Sequence, residues 1–216
     1  MSTPQALALL AVSIRLHGRA LIAPLDAAIA PGECLTLMGP SGSGKSTLLN
    51  YLAGTLPKVF EASGRVSVGD VDLTLLPPER RGVGILFQDD LLFPHLSVGG
   101  NLAFAMPAAI RASNERRDRV DAALKECGLD GLANRDPATL SGGQRARVAL
   151  MRTLLALPRV LLLDEPFNKL DTRLRSDFRE FVFSHARQHG LPTVLVTHDE
   201  DDAQAAAGRV ITLDEP

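Results

Sequence analysis

Apolar and polar positions alternate over short runs in the first part of the chain. Val12, Ile14 and Leu16 stand two apart, Leu21 and Ile22 follow, and His17-Gly18 and Pro31-Gly32 punctuate the runs. This period of two predicts antiparallel strands over residues 7–38, leading into an apolar run from Cys34 to Met38 that reads as a buried strand. Arg65–Val68 and Val71–Leu73 read as a hairpin turned at Gly69-Asp70, and Gly82–Phe87 as a short strand ending at Gln88. The pattern then changes, and residues 97–156 are predicted to be mostly helical. Ser113–Cys127 sets Glu115, Arg116, Arg117, Asp118 and Arg119 ahead of apolar Val120, Ala123 and Leu124, and stops at Gly128. Its charge run is read as a solvated helix face. Ser141 suits the N-cap of a further helix. Strands resume at Val160–Leu163 and Thr193–Val196, whose unbroken apolar character fits a parallel sheet covered on both faces. The chain therefore reads as an α/β core interrupted by a helical lobe.

Composition narrows the classes. The 216 residues suffice for one large domain, or one domain with an inserted lobe. A net charge of −2 creates no global field for nucleic acid or anionic lipid, and no nucleic-acid partner is expected. No apolar run approaches the ~20 residues that span a bilayer. Ala6–Val12 has no basic flank and no clear cleavage site, so a strand is a better reading than a signal peptide. Cys34 and Cys127 lie far apart and form no C-x-x-C, so neither a structural disulfide nor a zinc site is expected, which fits the cytoplasm.

Candidate chemistry starts at Gly39-Pro40-Ser41-Gly42-Ser43-Gly44-Lys45-Ser46-Thr47, which fits G-x-x-x-x-G-K-[ST] between a strand and a helix. Glycines let backbone N–H groups turn inward on a phosphate, and the following helix adds its positive end. Lys45 is placed to reach β- and γ-phosphates, and Ser46 to ligate Mg²⁺. ATP and Mg²⁺ are the expected ligands. Asp164 and Glu165 end the Val160–Leu163 strand, where α/β folds bind ligands. Asp164 suits a metal and Glu165 an attacking water. Taken alone, such a pair is also an ordinary surface feature. Leu140-Ser141-Gly142-Gly143-Gln144 offers a hydroxyl and unhindered N–H groups at a helix start, a second anion site or simply a well-capped helix.

With these pieces together, the chain resembles the nucleotide-binding subunits of ABC transporters over nearly its full length. Gly39–Thr47 corresponds to Walker A, Val160–Glu165 to Walker B, and Leu140–Gln144 to the family signature. Gln88 corresponds to the Q-loop glutamine, His198 to the switch histidine, and Asn168-Lys169-Leu170-Asp171 to the D-loop. Phe93-Pro94-His95 resembles bacterial importer ATPases, and Gly84–Leu92 and Asp136–Leu150 look like the YnjD group of binding-protein-dependent importers.

The resemblance implies a RecA-like P-loop NTPase core with an N-terminal antiparallel β-subdomain, at about 1–89 and 157–216, and an inserted helical subdomain at about 90–156. It implies Glu165, His198 and Gln88 as catalytic residues, and Ser46, Asp164 and Gln88 around Mg²⁺. It implies an ATP-dependent homodimer in which Ser141, Gly142, Gly143, Gln144 and Asp171 act on the partner's nucleotide. Further implied partners are transmembrane permease subunits and, indirectly, a substrate-binding protein, with the chain peripheral on the cytoplasmic face of the bacterial inner membrane. Phe87, Leu91, Leu92 and Phe93 are read either as a groove for a permease helix or as core. Alternatives to import are an exporter or lipid-extraction ATPase, or a soluble ABC assembly protein.

Two positions depart from the family pattern. His17 stands where most members place an aromatic residue on adenine, and Asn168 where the D-loop usually begins with Ser. Imidazole offers less stacking area, so weaker base affinity is expected. The chain ends 18 residues after His198, so the regulatory β-domain of the larger importer ATPases is not expected.

Overall fold

In the computed structural model, which describes residues 4–170 and 172–213, the alternating N-terminal segment forms β1 (Leu7–Leu16) and β2 (Arg19–Ile29). They join β4 (Phe60–Val68) and β5 (Val71–Asp72) in an antiparallel sheet of order β2-β1-β4-β5. Leu7, Leu9, Val12 and Ile14 of β1 are buried, so the period of two survives a slip between Leu9 and Val12. Ala11 sits at that slip with φ 47°, and its N–H donates to Asp26 Oδ1 at 2.8 Å. Gly64 opposes the bulge: a Cβ there would lie 2.4 Å from the Ala11 carbonyl oxygen, so only glycine fits. His17 and Gly18 both take positive φ and turn β1 into β2, the geometry of a tight hairpin.

A second, parallel sheet has the order β6-β7-β8-β3-β9. It comprises β3 (Cys34–Met38), β6 (Val83–Leu86), β7 (Val160–Asp164), β8 (Thr193–Val196) and β9 (Arg209–Thr212). The apolar runs of β3, β7 and β8 are buried, as strands with both faces covered require. Register aligns their ends. Leu37 of β3 pairs with Val196 of β8, which also pairs with Asp164 of β7. Gly39, Glu165 and Thr197 therefore emerge at one sheet end. β9, partly exposed and short, has no apolar run and escapes the sequence pattern.

The helices are α1 (Lys45–Ala53), α2 (Pro78–Arg81), α3 (Val98–Ala105), α4 (Ser113–Glu126), α5 (Gly142–Leu155), α6 (Thr172–Gln188) and α7 (Glu200–Ala206). The expected helical stretch is thus three α-helices, with a short 3₁₀ turn at Pro137–Thr139 in the connection before the last. The chain divides into two compact units. One holds the sheets and comprises the chain up to Ile85, Arg159–Glu165 and the chain from Arg179 onward. Its core packs Leu35, Leu37, Leu48, Leu52, Leu162 and Val194 together. The other comprises Leu86–Pro158 and Pro166–Phe178. There α3, α4 and α5 bury Val98, Leu102, Val120, Leu124, Val148 and Leu150.

α1, which follows the phosphate loop, is closed by a buried arginine. Arg81 Nη1 donates to the Tyr51 and Leu52 carbonyls at 2.7 and 3.1 Å, and Nε to Leu76 O at 3.0 Å. A cation on terminal helix carbonyls meets both their spare acceptor capacity and the negative end of the dipole. Gly54, at φ 82°, ends the helix, and a Cβ there would reach within 2.5 Å of the guanidinium. Arg81→Met is expected to lower stability by about 2–3 kcal/mol, because it takes the charged donor from the Leu52 and Leu76 carbonyls and leaves Tyr51 O with the Gly54 N–H alone. Urea unfolding measures it, and an unchanged midpoint would contradict the capping role.

Candidate nucleotide and catalytic site

The loop after β3 is shaped for an anion. Gly39, Gly42 and Gly44 take φ of 142°, 87° and 91°. A Cβ at Gly39 would lie 2.3 Å from Leu213 O, and one at Gly44 within 2.9 Å of the Leu21 and Ile22 side chains. Gly42 has open space beside it, so its backbone can approach a ligand closely. Lys45 is buried, and its Nζ donates to the Gly39 and Pro40 carbonyls, both at 2.7 Å. The ammonium thus stands inside the loop's curve. Ser43 Oγ is buried with no hydrogen-bond partner among the described residues. The α1 N-cap, Gly44, supplies no side-chain cap, so the first-turn N–H groups face outward at the helix's positive end. An orphaned hydroxyl, an ammonium and uncapped amides fit a polyphosphate. Exposed Pro40, Ser41 and Ser46 and half-buried Thr47 complete the loop.

Carboxylates stand at the end of β7. Asp164 Oδ1 accepts from Ser46 Oγ at 3.1 Å. Burial raises the Asp164 carboxyl above the usual carboxylate range, the Ser46 bond and Lys45 oppose this, and Glu165 adds to it. A hydroxyl and a carboxylate in contact are hard oxygen donors, the set Mg²⁺ takes. Glu165 follows with φ 48°, a conformation that costs a non-glycine residue roughly 1–3 kcal/mol. Its N–H donates to Val196 O at 3.0 Å, and its Oε1 lies 3.4 Å from His198 Nδ1. The strain is held by the sheet, and the carboxylate faces the exposed ring of His198. His17 is exposed in the β1–β2 turn.

Gln88, Ser141–Gln144 and Asn168–Leu170 belong to the helical unit. Ser141 and Gln144 form a reciprocal capping box: Gln144 N donates to Ser141 Oγ at 3.3 Å, and Ser141 N to Gln144 Oε1 at 2.9 Å. Gly142 is exposed in open space, whereas a Cβ on buried Gly143 would press on Leu174 at 3.1 Å. Gln88, Gly142 and Lys169 line one cavity of about 280 Å³. Asp171 lies outside the described residues.

Sequence reasoning missed the side chains that hold the segment after Gln88. Asp89 pairs with Lys169, and Asp90 Oδ2 accepts from Arg145 Nε at 2.9 Å. Arg152 donates to the Leu91 and Asp90 carbonyls at 2.7 and 3.0 Å and stands over the Phe93 ring. Asn101, fully buried, exchanges hydrogen bonds with both backbone groups of Phe93. Spacing could not reveal the three ion-pair and arginine contacts, because they join residues distant in the chain, and the shorter Asn101–Phe93 link matches no motif. Both cysteines are inert: burial pushes the Cys34 thiol up to about 12 and Cys127 up to about 11.

The profile of the ABC transporter family matches residues 22–168. The ABC transporter ATP-binding protein YnjD of Escherichia coli K12 is 50% identical over 194 residues, covering 90% of this chain and 89% of its own length. A sulfate/thiosulfate import ATP-binding protein of Agrobacterium fabrum is 45% identical over 87% of this chain. The Fe(3+) ions import ATP-binding protein FbpC of Rhizobium etli is 42% identical over 89%. The chain spans about half the length of these last two, 54% of each. The match runs through the glycine loop and the β7 carboxylates just described, and the chain belongs to the ABC transporter family as one of its ATP-binding ATPases.

Proposed function

We propose that the chain is the ATP-hydrolysing subunit of a solute importer, acting as an ATP-dependent homodimer beneath membrane-spanning permease subunits. The observation that carries the hydrolytic part is the strained Glu165 beside His198, at the sheet end that also presents the phosphate loop. Import is supported by relatives named for import, at 42–45% identity over nearly nine-tenths of the chain.

In this reading Gly39–Thr47 and Lys45 hold the phosphates of ATP, and His17 faces the base. Ser46, Asp164 and Gln88 would hold Mg²⁺, which when bound neutralises charge on the β- and γ-phosphates. Glu165 orients water and accepts its proton, and His198 keeps Glu165 in line. Ser141, Gly142, Gly143, Gln144 and Asp171 act on the partner copy's nucleotide, a helix start placed where phosphate charge is greatest. The chain sits on the cytoplasmic face of the inner membrane. In this reading the chain is attached by docking on the permease; no helix among the described residues is long and apolar enough to cross a membrane.

The helical unit offers an apolar surface for that docking. Phe87, Leu91 and Phe104 are 42%, 55% and 67% exposed, while Leu92 and Phe93 are half-buried. Phe93 packs edge-on against Phe104, with centroids 4.8 Å apart. Grouped exposed apolar side chains mark an interaction site. A pull-down of tagged chain from detergent-solubilised membranes, with ATP and Mg²⁺, is expected to retain a polytopic membrane protein. Leu91→Asp with Phe104→Asp is expected to release it and to leave ATP binding unchanged. Recovery of soluble partners alone would move the assignment away from transport.

A further inference from the structure

The sheet unit buries a carboxylate that the chemistry above does not use. Asp202, in the first turn of α7, has no exposed surface. Its Oδ1 is paired with Arg179 of α6, and its Oδ2 accepts from Thr197 Oγ1 at 2.7 Å. The Thr197 hydroxyl in turn accepts from the N–H of Asp199 at 3.1 Å. Asp199 caps α7, accepting from Asp201 N at 2.8 Å and Asp202 N at 3.3 Å, and Arg179 reaches its Oδ2 at 3.4 Å. Thr197 and Asp199 are the two chain neighbours of His198.

Both sides of His198 are therefore tied to one buried ion pair, while its own ring is exposed and lies 3.4 Å from Glu165. Burying such a pair carries a large desolvation penalty, so the pair is weak evidence for added stability. A seven-residue helix needs no such anchor, since its Asp cap already meets the first-turn amides. What the pair does settle is geometry. It fixes the backbone of a three-residue turn to which an otherwise free imidazole is attached, and catalytic side chains need such support to hold their placement.

We infer that Arg179 and Asp202, acting through Thr197, are positioning residues that hold His198 against Glu165 and so set the rate of hydrolysis without contributing to nucleotide binding. This rests on the reading of His198 and Glu165 as hydrolytic residues.

The test is a double-mutant cycle on the full chain, with turnover measured against ATP concentration in excess Mg²⁺. Thr197→Val keeps the shape and removes the hydroxyl. It is expected to lower kcat about tenfold with KM unchanged, as a small misplacement of a catalytic group does. Thr197→Ser is expected to restore turnover. In a His198→Ala background, Thr197→Val is expected to add no further loss. Wild-type turnover by Thr197→Val would overturn the inference. So would a loss that multiplies with that of His198→Ala, because it would show general loosening rather than action through His198. Full turnover by His198→Ala alone would instead remove the hydrolytic reading of His198, and this inference with it.

Discussion

Replacing Glu165 by Gln is expected to lower ATP turnover by about 10³-fold, the middle of the range for removing a general base. The amide keeps the side chain's size and its acceptor oxygen toward His198, but it cannot take a proton from water. Binding should survive. Glu165 adds negative charge beside Asp164, whose carboxyl it pushes up, so neutralising it lessens repulsion toward an anionic ligand. ATP should accordingly bind as tightly or tighter, and gel filtration of the variant with ATP and Mg²⁺ should show an accumulated dimer. The backbone supplies a second readout. Glu165 holds φ 48° against its own preference. Glu165→Gly should be equally inactive yet more stable by about 1 kcal/mol, because glycine takes that conformation without strain. Near-normal turnover by Glu165→Gln would remove Glu165 from the chemistry.

Periodicity located most of the sheet framework. Strand alternation from Val12 to Leu16 and the apolar runs before Gly39, Asp164 and Thr197 all reflect local burial, which a short window of sequence records. β9 did not show, because its neighbour β3, rather than its own composition, makes it a strand. The hairpin after residue 60 was too short in the sequence reading: Phe60–Gly64 carries polar and glycine positions, and only pairing with β1 makes this stretch extended. Candidate residues on the phosphate loop and at the β7 end were legible because their chemistry demands fixed neighbours. The arginines were not. Arg81, Arg145, Arg152 and Arg179 look like solvated charge in the sequence, and only folding brings them to carbonyls or carboxylates far along the chain.

Lys45→Met is expected to weaken ATP binding by on the order of 10²–10³-fold, seen by calorimetry or as a lost nucleotide-induced rise in melting temperature. Methionine keeps most of the buried stem's volume and removes the charge. In the structure the ammonium donates to the Gly39 and Pro40 carbonyls, so nucleotide must draw on a cation that already has partners. Magnitudes decide which effect wins. Both sets of contacts are charge-assisted on the lysine side, roughly 1.5–3 kcal/mol each, but a phosphate oxygen also carries negative charge and adds a Coulomb attraction that a neutral carbonyl lacks, so two phosphate contacts exceed two carbonyl contacts. The carbonyls lie in a partly buried loop, so losing their donor should also lower the melting temperature of the nucleotide-free chain by a few degrees. Lys45→Met thus fails at binding and Glu165→Gln fails after it. If Lys45→Met instead binds ATP like the wild type but turns over slowly, the ammonium serves only the developing charge of the transition state, and the loop amides alone hold the ground state.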